Sequence, residues 1–161
     1  LGGFVCARNA DIQDFIVNKA CVFERDDTCR THLIFDDERD DFDLLGYFSL
    51  ATKQIVLSTN VSNTQAKKMR AKPGERSVKA FLIGQLGKNS AISNNPIDLS
   101  VIFEEAYNAI EVARRQIGGR TVILECENVK SLVDLYQANG FKYLQTDEDG
   151  TGLVTMYAIL P

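Results

Sequence analysis

Apolar positions along this chain recur with two periods, and the changes of period mark its elements. Ile12, Phe15, Ile16 and Ala20 fall at helical spacing behind the polar residues Asn9 and Asp11, either of which can cap a helix N-terminus. A first helix is expected there. Residues 31–35 and 44–57 read as strands joined by the acidic stretch 36–43, which predicts an antiparallel hairpin with a solvent-facing turn. Residues 58–76 are polar and end in Lys72-Pro73-Gly74, the pattern of a long excursion holding one helical turn, before 78–86 return to strand. The clearest periodicity comes next: Leu99, Ile102, Phe103, Ala106, Ile110, Ala113 and Ile117 form one stripe, ended by Gly118-Gly119. Thr121–Cys126 is almost unbroken apolar, as suits a central strand covered on both faces. Val129, Leu132, Val133 and Tyr136 make another helical stripe, and 141–145 with 153–160 predict a closing hairpin around 147–152. The sum is a mixed α/β sheet without repeats, low-complexity segments or an evident linker.

The chain's 161 residues suit one domain. Its 45% hydrophobic and 25% charged content is that of a soluble globular protein, and no apolar run approaches membrane-spanning length. A net charge of -4 offers no global attraction to a polyanion, so nucleic-acid binding would have to rest on the one short basic run, Lys67–Lys72, which also reads as an ordinary solvated loop or helix face. Cys6, Cys21, Cys29 and Cys126 are widely spaced, without a C-x-x-C pair and with only His32 to assist, so no metal site is expected. Without a secretory-type leader or a dense cysteine framework, the expected compartment is a reducing cytoplasm, with the thiols acting as buried small hydrophobes. The chain opens on leucine, which leaves room for an upstream first strand.

Tyr136 needs a reason. It lies four residues before Gly140, and Asn139-Gly140 alone can close a helix, because both residues tolerate a left-handed backbone. Either the ring fills the helix stripe beside Leu132 and Val133, or its hydroxyl has a role.

Three stretches carry a resemblance that bears on that choice: FVCARNADIQDFI at the start, LLGYFSLA in the long strand, and LYQANGF around Tyr136. They resemble segments of the GNAT superfamily of acyl-CoA-dependent N-acyltransferases, including bacterial toxin-type members. The resemblance spans nearly the whole chain, and the aromatic-Tyr-x-x-x-Gly-Phe pattern is its most specific part. It implies a single GNAT domain over 1–161 and a mostly antiparallel central sheet flanked by helices. That sheet would be splayed between the family's fourth and fifth strands, here 78–86 and 121–126. It also implies acetyl-CoA as co-substrate, a primary amine as acceptor, and Tyr136 as the acid that protonates the departing thiolate. A positioned phenol suits that step, since tyrosine and thiol pKa values lie close together.

The resemblance further places the main chains of Leu86 and Lys88 against the pantetheine arm, and Ser93 and Asn94 on the pyrophosphate loop. That loop departs from the family pattern. Asn94, Pro96 and Asp98 stand where glycines are common: Pro96 removes an N–H donor, Asn94 adds a side chain, and Asp98 brings negative charge toward phosphate. A purely structural reading takes Asn95 as a helix N-cap, Pro96 as the first helical residue and Asp98 as a capping-box partner. A second departure puts Val129 where the family often has asparagine, with Asn128 read as a helix cap.

No general base stands out; Glu125, Glu127 and His32 are the available acceptors. Two functions compete: an N-acetyltransferase, and a catalytically weakened GNAT-fold binding or regulatory module. An acidic chain with one basic run supports a tRNA acceptor poorly without removing it, and the sequence leaves a homodimer open.

Overall fold

In the computed structural model of the chain, residues 1–37, 42–147 and 150–161 are described. The elements are α1 (Ala10–Asp14), a π-helical turn (Phe15–Lys19), α2 (Ala20–Arg25), β1 (Arg30–Phe35), β2 (Leu44–Val56), α3 (Asn63–Lys68), β3 (Ser77–Lys88), α4 (Leu99–Ile117), β4 (Thr121–Cys126), α5 (Lys130–Ala138), β5 (Lys142–Thr146) and β6 (Val154–Ile159). The strands form one six-stranded sheet in the order β1-β2-β3-β4-β6-β5. β1 pairs antiparallel with β2, β3 parallel with β4, and β6 antiparallel with both β4 and β5. The mixed, mostly antiparallel sheet flanked by helices is the expected one. Parts of the two acidic turns, residues 38–41 and 148–149, lie outside the described residues.

The chain divides into two compact units, Leu1–Ala51 with Gly84–Val112, and Thr52–Ile83 with Ala113–Pro161. β2, β3 and α4 each contribute residues to both.

In the first unit Asn9 caps the opening helix, its side chain accepting from the N–H groups of Asp11 and Ile12. The expected first helix contains a π-helical turn, and Phe15 and Ile16 at the start of that turn are buried. Both join Phe4, Ala20 and Tyr47 in the unit's aromatic core, where Phe4 meets Tyr47 edge-on at 5.3 Å and Phe15 lies parallel to it at 6.1 Å. The Tyr47 hydroxyl donates to the carbonyl of Ile12 at 2.6 Å, which satisfies it inside that core. Gly46 shows why the LLGYFSLA strand needs a glycine: a Cβ there would stand 2.8 Å from Ile97 Cδ1 and 2.9 Å from the Gly87 carbonyl oxygen.

The second unit packs Ile55, Leu57, Val61, Ala66, Met69, Val78, Ala80, Ile123, Leu144 and Tyr157 into one core. The polar excursion 58–76 is therefore anchored: Val61, Ala66 and Met69 reach the core from it, and α3 is its single short helix. The Arg76 guanidinium fastens its base, donating to the carbonyls of Ser58 and Val61 and to Asn63 Oδ1. β4 is buried at five of its six positions, as its unbroken apolar run predicts.

Candidate functional site

Tyr136 sits where α5 ends, and the way the helix ends fixes it. Ala138 is the last helical residue, Asn139 the C-cap and Gly140 follows with φ +90°. The N–H of Phe141 donates to the Tyr136 carbonyl and that of Gly140 to the Gln137 carbonyl, both at 3.1 Å. This pair of bonds is a Schellman motif, and its usual apolar contact joins Phe141 to Tyr136, edge to face at 6.5 Å and 71°. The Tyr-x-x-x-Gly-Phe spacing thus has a mechanical cause. Glycine closes the turn, the buried phenylalanine anchors it, and the tyrosine five positions before that phenylalanine is held against it.

Tyr136 is half-buried, and burial, reinforced by the neighbouring Cys126, pushes its hydroxyl up to about 12. It is therefore neutral and holds its proton across physiological pH. Cys126, the last residue of β4, is buried at 7% exposure, and burial raises its thiol as well. Asn128, expected to cap α5, does not: the N-cap is Val129, and no side chain caps that end. Its extended backbone, φ -114° and ψ 125°, starts the helix without a side-chain oxygen.

Glu125 and Glu127 flank Cys126. Glu125 forms an ion pair with Lys53, while Glu127 is exposed. His32 lies in the first unit, stacked on Phe48 at 4.7 Å and 5°. Burial lowers its pKa, partly opposed by Glu24.

Leu86, Lys88, Ser93 and Asn94 belong to the first unit, Tyr136 to the second. The ladder between β3 and β4 covers only Phe81–Ile83 against Val122–Leu124, and β3 runs on to Lys88. At Gln85 the strand N–H donates to the hydroxyl of Ser49, buried at 2% exposure, at 2.9 Å. Beyond Leu86, Lys88 is exposed and its ammonium donates to the Asn95 carbonyl at 3.1 Å, which brings it to the loop carrying Ser93 and Asn94. Both of those are exposed, and Asn94 adopts φ +53°.

Two asparagines organise that loop. Asn89, 3% exposed, accepts from the N–H groups of Val5 and Ala91 and donates to the Leu44 carbonyl. Asn95 donates to the carbonyls of Leu45 and Asn89 and accepts from the Ile97 N–H. Asn95 is therefore not the helix N-cap, and Pro96 is not helical. The cap is Asp98, whose carboxylate accepts from the Ser100 hydroxyl at 2.6 Å and from the N–H groups of Ser100 and Val101 at 2.9 and 3.2 Å. The Ser100 hydroxyl and those N–H groups hold the Asp98 carboxyl below its ordinary value. Asn89 and Ser49 escape a sequence reading because nothing in their neighbourhood distinguishes a buried asparagine or serine from a turn or surface one.

No protein-family model matches the sequence, and no curated protein does. Solved structures do match. A bacterial toxin superposes with TM-score 0.75 at 15% identity, covering 98% of this chain and 81% of its own. AtaT complexed with acetyl-methionyl-tRNAfMet gives 0.72 at 16%, covering 94% and 84%. AtaTR bound with AcCoA gives 0.68 at 16%, covering 94% and 83%. The chain has the GNAT fold. The resemblance read from the sequence is thereby met at the level of architecture, a mixed and mostly antiparallel sheet flanked by helices; the parallel pairing of β3 with β4 is added by the structure.

Proposed function

We propose that the chain, as one N-acetyltransferase domain over residues 1–161, moves an acetyl group from acetyl-CoA to a primary amine. The observation that carries this reading is the Schellman-locked Tyr136 beside Cys126 at the end of β4, on a fold shared with AtaTR bound with AcCoA. Acetyl-CoA would supply the activated acyl group; the chain supplies a proton for the departing sulfur. The amine nitrogen forms a bond to the thioester carbon, the carbon–sulfur bond breaks, and the sulfur takes the Tyr136 hydroxyl proton. The proton lost by the amine returns to the phenolate through water.

A phenol at about 12 is a weak acid for an ordinary thiolate. Cys126 supplies the missing half of the argument. Burial that raises its thiol would raise a thiolate released beside Tyr136 too, which narrows the gap and favours proton transfer as the bond to carbon breaks.

The loop expected to meet the pyrophosphate, taken by itself in the first unit, fits a phosphate less well. Lys88 is the one cation among residues 84–98 and could meet a phosphate, while Ser93 and Asn94 offer exposed donors beside it. Asp98 already uses two of the α4 N–H groups. That observation favours the second reading, a GNAT-fold binding module with weakened transfer.

Thiol release from acetyl-CoA in the presence of a panel of primary amines, paired with calorimetry of acetyl-CoA binding, separates the two. Binding with amine-dependent thiol release supports the enzyme. Binding without release supports the module, and no binding at millimolar acetyl-CoA removes both the enzyme and its co-substrate. AtaT's complex with acetyl-methionyl-tRNAfMet makes an aminoacyl-tRNA amine a member of the panel to include. Among the described residues no helix is long and apolar enough to cross a membrane, and four free cysteines suit a reducing compartment such as the cytoplasm.

A further inference from the structure

A hollow of about 410 Å³ opens in the second unit between α3 and the outer strand β5, with the last residues of β6 as its floor. Its volume falls in the range of small-molecule sites, about 300–1,000 Å³. Gln65 and Lys68 reach it from α3, where a spacing of three residues puts both on one face, and Lys142 reaches it from β5. Tyr157, Ala158 and Ile159 line it from β6. Ile159 pairs with Thr121 at the start of β4, whereas Cys126 at its end pairs with Val154, so the floor lies toward the end of β6 remote from Cys126.

Two features of these walls point to a ligand. Lys68 and Lys142 are exposed, neither makes an ion pair among the described residues, and no carboxylate lines the hollow to offset them. Tyr157, by contrast, is buried at 7% exposure in the unit's core, directly across from Lys142 in the antiparallel ladder, so the two side chains share a face of the sheet. Its hydroxyl oxygen accepts from the Gln65 side-chain amide at 2.9 Å. That bond leaves the phenol proton without an acceptor among the described residues, and a donor on a buried side chain is stabilised by an acceptor supplied from outside.

The arrangement narrows the chemistry of what would fit. An anion is called for by two cations and a hydroxyl donor with no internal carboxylate. The lysines stand on opposite walls, one on a helix and one on a strand, and the half-buried Ala158 and Ile159 supply an apolar stretch of floor. Two separate point charges over an apolar floor match two carboxylates joined by a short hydrocarbon chain, where a compact phosphate would meet only one wall.

We propose that this hollow binds a small aliphatic dicarboxylate, one carboxylate on each lysine and the Tyr157 hydroxyl donating to one of them. The inference does not rest on the acetyltransferase reading, and its test needs no acetyl-CoA. Titration of the isotope-labelled whole chain with glutarate, at constant ionic strength, should move the backbone N–H resonances of Gln65, Lys142 and Tyr157 with a Kd of about 1 mM. Lys68→Gln/Lys142→Gln should weaken that binding about tenfold or more while melting as the parent does. Tyr157→Phe, which keeps the ring and removes the donor, should weaken it several-fold. Lys67→Gln, an exposed change on α3 outside the hollow, should bind as the parent does. Butyrate, with one carboxylate, and inorganic phosphate should each bind about tenfold more weakly than glutarate. The proposal is overturned if none of these resonances moves by about 20 mM glutarate. Glutarate affinity retained by the double variant or by Tyr157→Phe, equal weakening by Lys67→Gln, or butyrate or phosphate binding as tightly as glutarate would overturn it equally.

Discussion

The loop at residues 89–98 and the end of α5 are both fixed by hydrogen bonds, but they commit different atoms. The loop spends side chains: Asn89, Asn95 and Asp98 together tie up backbone groups from Val5 to Val101. The end of α5 is closed by the backbone of Gly140 and Phe141 on that of Tyr136 and Gln137. Polar side chains that serve as structural pins are poorly placed to serve a ligand, whereas a residue held by its main chain has its side chain positioned for other work. In the loop the polar side chains left over from this pinning are the exposed Ser93 and Asn94.

The sharpest test of that contrast is Tyr136→Phe, which keeps the ring, the Schellman bonds and the Phe141 contact. Acetyl transfer should fall about 10²-fold or more, the usual contribution of a positioned general acid, with acetyl-CoA affinity and urea stability nearly unchanged. Unchanged turnover would reduce Tyr136 to packing. Asn89→Ala comes next: it strips two N–H groups of their acceptor and a carbonyl of its donor at a buried site, and should cost about 2–3 kcal/mol in urea unfolding. A cost under about 0.5 kcal/mol would mean that the asparagine is not the pin of its loop.

Gly140→Ala should cost about 1–2 kcal/mol through backbone strain alone, since a Cβ there would meet nothing within 4 Å. It should lower transfer with stability, because it loosens the turn that holds Tyr136. The smallest effect belongs to His32, the chain's single histidine. Burial depresses its folded pKa below 6.5, so folded and unfolded chains carry the same neutral ring above that pH. As pH falls below 6.5 the unfolded chain takes up a proton that the folded one resists. Stability then declines until the folded pKa is passed. His32→Phe, stacked on Phe48, should abolish that decline, as read by urea midpoints between pH 5 and 8.

Much of the fold was legible because periodicity and burial agree. The stripe from Leu99 to Ile117 is the observed α4, and the apolar run Thr121–Cys126 is the observed β4, since each pattern is dictated by one repeated demand for burial. Caps were harder. Asn95, Asp98, Asn128 and Val129 all sit near helix starts, and a shift of one to three residues decides which is the cap; that shift is set by tertiary pins such as Asn95 on Leu45, which leave no local trace. The π-helical turn at Phe15 was invisible for the same reason. Of the thiols expected to be buried, Cys126 is, Cys6 and Cys29 are partly so, and Cys21 is exposed, because a cysteine on a helix carries no sign of which face it occupies. Tyr136 could be singled out because its Gly-Phe partners follow it in sequence.

Cys126 gives the molecule a clock. Its sulfur is shielded at the end of β4 while Cys21 lies open to solvent, so a thiol-reactive dye will stain the surface first and this position last. The lag between the two records how often that strand end opens, with no label engineered in.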